Sequence, residues 1–464
     1  MLYPASTGGC LRRLYQHAAT GLTKGLEDVQ LRTRKILIIS YLFPPAGGIG
    51  VQRALSLARY LPQLEFEVHV LKATNAGPVM DPDLVRSVPS SVTVHEAFTP
   101  EISFALRQKI WSKLTRSNSK PLEKVASGRG LRPSTILAGA VKRILCPEPE
   151  ILWVPFAVRK ARQIIRRHGI EFLLVTVPPF SALVAGNKLK RDFPELKLIS
   201  DFRDEWLSFY LKDFDFQNSD YTRRRAEAIE GETVRLANLV VAVTQSSLDE
   251  IRRRYPDMPA DKFAVVPNGY DPVVFAGFLA RSNPLPRMLI THVGTVYKTA
   301  TPRFYFDALD AMSEQVRGQI ETRFIGRISD DERALLESKR SNVKIMGFMP
   351  QAEALRTMET TDCLLLTMTN KISLPGKLFE YMASGKPILA ITPKGSEVDR
   401  ILQETGVGIS SPPDDRAGIQ AMINRALDGW LKNQPIVRRD EGRVRRYERP
   451  GLVQEYADIM TKLV

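Results

Sequence analysis

The sequence predicts an α/β protein made of two doubly wound halves, and three observations carry that prediction. Short, blunt apolar runs such as Lys35-Ile-Leu-Ile-Ile-Ser40 and Cys363-Leu-Leu-Leu-Thr367 read as buried parallel strands. Gly- or Pro-bearing loops follow such runs and lead into stretches of helical period. Residues 276–286, ending Ser282-Asn-Pro-Leu-Pro286, read as a linker between one such series and the next. At 464 residues the chain is also too long for a single core. The expected organisation is an N-terminal extension over 1–34, a first half over 35–275 with a basic insertion at 100–150, a second half over 287–445, and a final segment over 446–464.

In chain order, strand 35–40 runs into Tyr41-Leu-Phe-Pro-Pro-Ala-Gly-Gly-Ile-Gly50 and then a helix with Ala54, Leu57, Ala58 and Leu61 on one face. The Gly47-Gly48-x-Gly50 cluster lacks the spacing of the dinucleotide fingerprint, so alone it means a tight turn. Strands follow at 68–71 and 92–94. After the insertion come a helix from Trp153 to Ile165, a strand at 172–176, the loop Pro178-Pro-Phe-Ser181 and a helix at 182–189. Strand 196–200 ends in Asp201-Phe-Arg-Asp-Glu-Trp206. A polar helix around 218–237, strand 239–244, helix 246–255 and a strand leading into Val266-Pro-Asn-Gly269 complete the half. The second half reads as strand 288–293 ending at Gly294-Thr-Val-Tyr-Lys298, helix 303–316, strand 321–326, helix 330–339, strand 344–346 and helix 351–358. Strand 363–367 follows, and a last amphipathic helix spans 449–463.

Composition narrows the function classes. With 44% hydrophobic and 25% charged residues the chain is an ordinary folded one. Three scattered cysteines, Cys10, Cys146 and Cys363, argue for a reducing compartment and against a disulfide frame or a cysteine zinc site. Residues 1–34 hold no continuous apolar core of a signal peptide, and no run of 18 uncharged apolar residues appears anywhere, so a cytoplasmic protein is expected. The net charge of +15 is uneven: residues 101–170 hold 15 Lys and Arg against 4 Asp and Glu, a net of +11. There Phe104, Ile110, Trp111 and Leu114 alternate with cations. Two readings fit equally, a basic amphipathic element on an anionic membrane surface at the inner face, or a solvated insertion with its stripe packed on the domain. No aromatic sheet motif, zinc finger or heptad-linked basic region accompanies the charge, so nucleic acid is not the expected partner.

The stretch with most chemical content is Ser373-Leu-Pro-Gly-Lys-Leu-Phe-Glu-Tyr-Met-Ala-Ser-Gly-Lys-Pro-Ile-Leu-Ala390. Pro375 and Gly376 open a helix, Leu378, Phe379 and Met382 form its apolar stripe, and Gly385 with Pro387 stops it. A helix N-terminus beside the end of a parallel strand favours phosphate. Lys377 and Glu380, three apart, share one face, where a lysine can neutralise a diphosphate and a carboxylate can accept from ribose hydroxyls. The bland alternative is a surface ion pair on a helix cap.

Four landmarks stand in register: the double-Pro, double-Gly loop at 44–50, Asp201-Phe-Arg-Asp204, Val266-Pro-Asn-Gly269 and Pro375–Gly385. Together they resemble the family-4 retaining glycosyltransferases of the GT-B fold, and are most similar to the bacterial members that assemble surface and capsular polysaccharides. The likeness covers about residues 35–464, apart from 100–145.

The resemblance implies two Rossmann-like domains facing across a cleft. The second would bind a nucleotide-diphosphate sugar, the first a glycan or lipid-linked acceptor, and the last helix would cross back to the first domain. It assigns ribose to Glu380, diphosphate to Lys377 at the Gly376 helix start, and the border of the base to Gly347-Phe348-Met349. Gly47, Gly48 and Gly294 would let phosphates or acceptor approach the backbone. No cofactor and no metal are implied.

Three departures from the family pattern stand out. The first glutamate of the usual acidic pair falls at Ile372, the usual Gly-Arg is Gly294-Thr295, and a histidine near the acceptor is missing around Thr176-Val177. Lys298 becomes the candidate second cation and Asp201 the candidate polar group on the acceptor side, the bland role for Asp201 being a helix cap or a partner for Arg203.

Competing readings are a metal-dependent transferase using Asp213-Phe-Asp215, a nucleotide-sugar 2-epimerase, whose acidic and histidine cluster is not found in a chain with 5 His, and a non-catalytic nucleotide-sugar-binding scaffold.

Overall fold

A computed structural model describes residues 33–74, 80–100, 143–211, 219–279 and 285–463. Most of the basic insertion (Phe104, Ile110, Trp111, Leu114), the Asp213/Asp215 pair, the centre of the 276–286 linker and nearly all of the N-terminal extension fall outside the described residues.

The apolar runs become two all-parallel sheets. The first comprises β1 (Arg34–Ile39), β2 (Phe66–Ala73), β3 (Thr93–Ala97), β4 (Phe172–Val177), β5 (Lys197–Phe202), β6 (Leu239–Ala242) and β7 (Phe263–Val265), in the order β3-β2-β1-β4-β5-β6-β7. The second comprises β8 (Met288–Val293), β9 (Ile320–Ile325), β10 (Asn342–Gly347), β11 (Cys363–Thr367), β12 (Ile388–Ile391) and β13 (Gly408–Ser411), in the order β10-β9-β8-β11-β12-β13. Both follow the Rossmann strand order, which reverses between the first and fourth strands.

The blunt hydrophobicity of the central strands β1, β4, β11 and β12 has a direct cause, because both faces of the sheet are covered there. On one face of the first sheet, Leu37, Ile39, Leu71, Leu173 and Val175 pack with the helices Val154–His168 and Ser181–Asp192. On the other, Ile36, Ile38, Val68, Val70 and Phe172 meet the helix Ile49–Tyr60 and the last helix, Arg449–Thr461. That last helix follows the second sheet in sequence yet buries Leu452, Val453, Tyr456 and Met460 in the first sheet's core. At about 1.5–3 kcal/mol per fully buried large apolar side chain, these contacts hold the two halves together. A polar contact adds to them: Ser246 donates its N–H (3.1 Å) and hydroxyl (2.6 Å) to Glu397 Oε1 of the second half.

The expected helix over 303–316 is instead two, Arg303–Leu309 and Glu314–Gly318. Ser313 breaks it by accepting from Val316 N, so its hydroxyl starts a new helix. Between Ile391 and Arg449, the helices Glu397–Thr405, Arg416–Leu431 and Glu441–Arg445 join β13, none of them announced by the sequence pattern. Among the described residues no helix is long and apolar enough to cross a membrane.

Candidate active site

All strands are parallel, so the carboxyl ends of each sheet lie at one edge, and the strand-order reversals at β1/β4 and β8/β11 open crevices there. Loops from both halves line one cleft of about 1170 Å³.

The second half supplies a cationic corner. The helix Lys377–Ser384 starts at Gly376 and ends at Gly385 in the left-handed conformation. Tyr381, fully buried, accepts from Val293 N (2.6 Å) and donates to Val293 O (3.1 Å), locking this helix to the end of β8. Lys377 is thereby laid over Gly294: a Cβ at 294 would sit 3.1 Å from Lys377 Cε and Nζ, and Gly294 has φ +126°, which only glycine adopts at ease. Lys377 Nζ is 3.0 Å from His292 Nε2, whose Nδ1 faces Leu365 O at 3.0 Å. Because a carbonyl only accepts, the proton of this imidazole belongs on Nδ1, leaving Nε2 to accept from the lysine. Burial, then the Lys377 charge, holds the His292 pKa well below its usual value, so it stays neutral.

Burial also brings Lys377 down to about 8, against the opposing pull of Glu380. The Glu380 carboxyl is pushed up by burial and pulled down by Arg449, by a hydrogen bond from Gln351 Nε2 (3.3 Å) and by Lys377. Together with the unpaired N–H groups of a helix start, this corner suits an anion bearing hydroxyl donors.

The first half supplies a wall whose charges are largely paired. Asp201, at the end of β5, is fully buried and accepts from Arg53 Nε (3.0 and 2.9 Å) and Nη2 (2.7 Å), and from Thr176 Oγ1 (2.7 Å). Arg53 also donates to Pro267 O (3.1 Å), and Arg203 donates to the carbonyls of Val177 (3.1 Å), Gly50 and Pro178. Glu205 accepts from Ser208 N and Arg254, and Trp206 stacks on Phe180 at 4.5 Å. Of the acids in this motif, Asp204 alone lines the cleft, its pKa raised by burial against the opposing pull of Arg203.

The four sequence landmarks therefore meet. Arg53 ties Asp201 to Pro267, and Arg203 ties Gly50 to the loop after β4. A Cβ on Gly269 would overlap Tyr447 O, so that turn packs backbone to backbone against the chain entering the last helix. A Cβ on Gly376 would overlap Ile49, which reaches across from the Gly loop.

Comparison with known proteins agrees. The model described as Glycosyltransferase Family 4 matches residues 125–274, and that described as Glycosyl transferases group 1 matches 287–428. The chain belongs to the family-4 glycosyltransferases of the GT-B fold. It is 34% identical over 96 residues to the probable glycosyltransferase WbjE of Pseudomonas aeruginosa, a match spanning 20% of this chain and 24% of that relative. The fold is similar to that of sucrose-phosphate synthase from Thermosynechococcus elongatus (TM-score 0.63, 13% identity, 93% of this chain and 99% of that one). It is also similar to Anabaena HepE in complex with UDP and glucose (TM-score 0.60, 16% identity, 92% and 99%).

Within this family-4 chain the expected site residues separate into two groups. Gly48, Gly294, Phe348, Gly376, Lys377 and Glu380 line the cleft. Phe348 is 61% exposed with the Arg327 guanidinium 5.7 Å above its ring. Gly347 stands just behind, its carbonyl accepting from Gly326 N (2.7 Å), and Gly47 lies beside the cleft-lining Gly48 without lining the cleft itself.

Two candidates do not line the cleft. Lys298 sits exposed on a short turn, Lys298–Ala300, between the cleft-lining Tyr297 and Ala300. Asp201 lies beneath the cleft wall and pairs with Arg53, not Arg203. Its neighbours saturate it, which fits positioning and not contact with substrate.

Sequence reasoning missed His292, Arg449 and Asp204. His292 is the one ionisable residue in the buried strand Met288–Val293, a signal in plain view. Arg449 opens the last helix and donates to Gly269 O (3.0 Å) and Gln52 Oε1 (2.9 Å). Its charge reaches Glu380 from a position 69 residues later in the chain, which no local spacing reveals.

Proposed function

We propose that this chain transfers a sugar from a nucleotide-diphosphate sugar to a glycan or lipid-linked acceptor, with retention of configuration and without a catalytic metal, in polysaccharide assembly. The observation that carries the reading is the Lys377 ammonium, held over Gly294 by His292 at the start of a helix, one turn from Glu380. In this scheme the helix start and Lys377 hold the diphosphate and Glu380 the ribose. The base lies beside Phe348 and Arg327. HepE, of similar fold, has been seen in complex with UDP and glucose.

The bond from the anomeric carbon to the diphosphate oxygen breaks as an acceptor oxygen bonds the same face of that carbon, and the acceptor proton passes to the departing diphosphate. The protein's task is to stabilise that leaving charge. Removing one preorganised donor of this kind costs about 3–4 kcal/mol of barrier. The family's first glutamate is replaced by Ile372, and the neighbouring Ser373 lines the cleft with a buried hydroxyl that has no protein partner. Ser373 Oγ is assigned to a sugar hydroxyl, and Asp204 to the acceptor.

The +11 charge of residues 101–170 is assigned to the anionic inner face of a membrane. Exposed Phe98, just before this segment, and Phe156, within it, meet edge to face at 5.1 Å. Sedimentation with anionic but not neutral vesicles, reversed by high salt, is expected. Equal binding to both overturns the assignment.

The transfer itself is tested by incubating the chain with UDP- and GDP-sugars and a lipid-linked acceptor, with and without EDTA, well below the melting temperature. Product with the anomeric configuration retained is expected in both. Nucleotide binding without turnover would make the chain a scaffold, and turnover that needs added manganese or magnesium would return the metal to Asp213 and Asp215.

A further inference from the structure

Away from the cleft, three of the chain's five histidines meet at one edge of the first sheet. His69 lies within β2 and His95 within the edge strand β3, while His168 ends the helix Val154–His168, which packs on that face. One ring nitrogen from each comes within 4.8 Å of the others. His69 Nδ1 and His95 Nε2 are 3.1 Å apart, and the His69 and His168 ring centres are 4.3 Å apart. Around a tetrahedral zinc ion with Zn–N bonds of about 2.05 Å, neighbouring nitrogens stand about 3.4 Å apart, so small adjustments bring these rings to coordination distance.

The surroundings of His69 match a ligand and its support. Its Nε2 is 2.9 Å from Glu67 Oε1. With Nε2–H donated to that carboxylate, Nδ1 keeps its lone pair and stands 3.1 Å from His95 Nε2. A carboxylate holding the far nitrogen of a metal-bound histidine is the usual way its tautomer and orientation are set. Lys35, Lys160 and Arg167 face the cluster and oppose a cation, while Glu67 offsets them. Three imidazoles suit a borderline d-block ion and not magnesium or calcium, which take oxygen.

The strand that would gain is β3. It buries only Ala97 of its five residues, and a cross-link to β2 and to the helix end would replace the packing it lacks.

We propose that His69, His95 and His168 bind one divalent transition-metal ion of the zinc class, with Glu67 orienting His69, and that this ion clamps β3 and the end of the helix Val154–His168 to β2. None of these residues lines the cleft, so the proposal stands apart from the reading of the cleft as a transferase site.

The test uses the full chain without a histidine tag, stripped by chelator and titrated with zinc chloride alone, then with cobalt chloride. One ion per chain, a raised melting temperature and the visible absorption of low-coordinate cobalt are expected. His95→Asn combined with His168→Asn should remove the stoichiometric binding and the thermal shift, while UDP binding at the cleft is unchanged. Glu67→Gln should keep the stoichiometry but weaken affinity 10- to 100-fold, the usual size of such a supporting interaction. Should the double variant fail to fold, His168→Gln alone, at the half-exposed helix end, must still lower zinc affinity at least tenfold. No stoichiometric binding by the wild-type chain, or equal binding by the variants, overturns the proposal.

Discussion

The two crevices of this molecule share one topology and use charge in opposite ways. At β8/β11, small residues leave room, and half-buried Lys377 faces a neutral imidazole, with its charge open to a ligand. At β1/β4, Asp201, Arg53 and Arg203 are consumed by one another and by backbone carbonyls, and the loops are fixed as a result. Strand order therefore says where the crevices open, while the pairing of the charges separates the crevice with a lysine facing the cleft from the one that holds shape.

This contrast can be broken in order of expected effect. Asp201→Ala leaves the Arg53 guanidinium buried without its carboxylate, and removing one partner of a buried pair costs about 3–5 kcal/mol of stability. Chemical denaturation should read that loss, with UDP affinity little changed at temperatures where the variant stays folded. An unchanged midpoint would mean that Asp201 does not act as a structural group.

Lys377→Ala should do the reverse. A fall in kcat of about 10²–10³ is expected, with most of the UDP thermal shift lost and the unliganded melting temperature nearly held. A variant that still turns over at the wild-type rate would remove Lys377 from the mechanism.

The third effect is one of pH. Because the folded pKa of Lys377 is about 8, below its ordinary 10.5, the unfolded chain binds more protons between those values. Its burial therefore carries a penalty that is full below about pH 8 and fades as the pH rises towards 10.5, so stability gains with pH over that window. UDP binding needs the charged form and moves the other way, weakening as the pH climbs through about 8 and by up to tenfold per unit above it. Calorimetry across pH 7–10 should record proton uptake on UDP binding, and Lys377→Met should abolish both slopes.

The smallest effect belongs to Lys298→Ala, expected to leave kcat and UDP affinity within about twofold, because an exposed charge off the cleft contributes little. A tenfold loss in steady-state kinetics would restore Lys298 to the site.

The alternation of blunt apolar strands with helical stretches was readable residue by residue, because a parallel strand covered on both faces must be apolar throughout. The helix at 377–384 was readable for a similar reason, since its Pro, Gly, Lys and Glu act within one or two turns of each other. Its partner His292 stood in the open but pointed nowhere until Leu365 O and Lys377 took its two nitrogens. Ser313, splitting one expected helix into two, shows the limit on local boundaries, because a capping hydroxyl and a solvent-facing serine look alike in a sequence.

What the sequence determined by itself was most of the element order up to Ile391, the two Rossmann-like halves and the Pro-Gly start of the helix Lys377–Ser384, all of which rest on interactions between near neighbours in the chain. The tertiary structure alone decided that Asp201 pairs with Arg53, that Arg449 returns to Glu380, that Lys298 stands outside, and that His69, His95 and His168 converge. Each of these pairings joins side chains 26 to 148 residues apart. At such separations the favourable energy depends on geometry, which residue type and spacing do not carry.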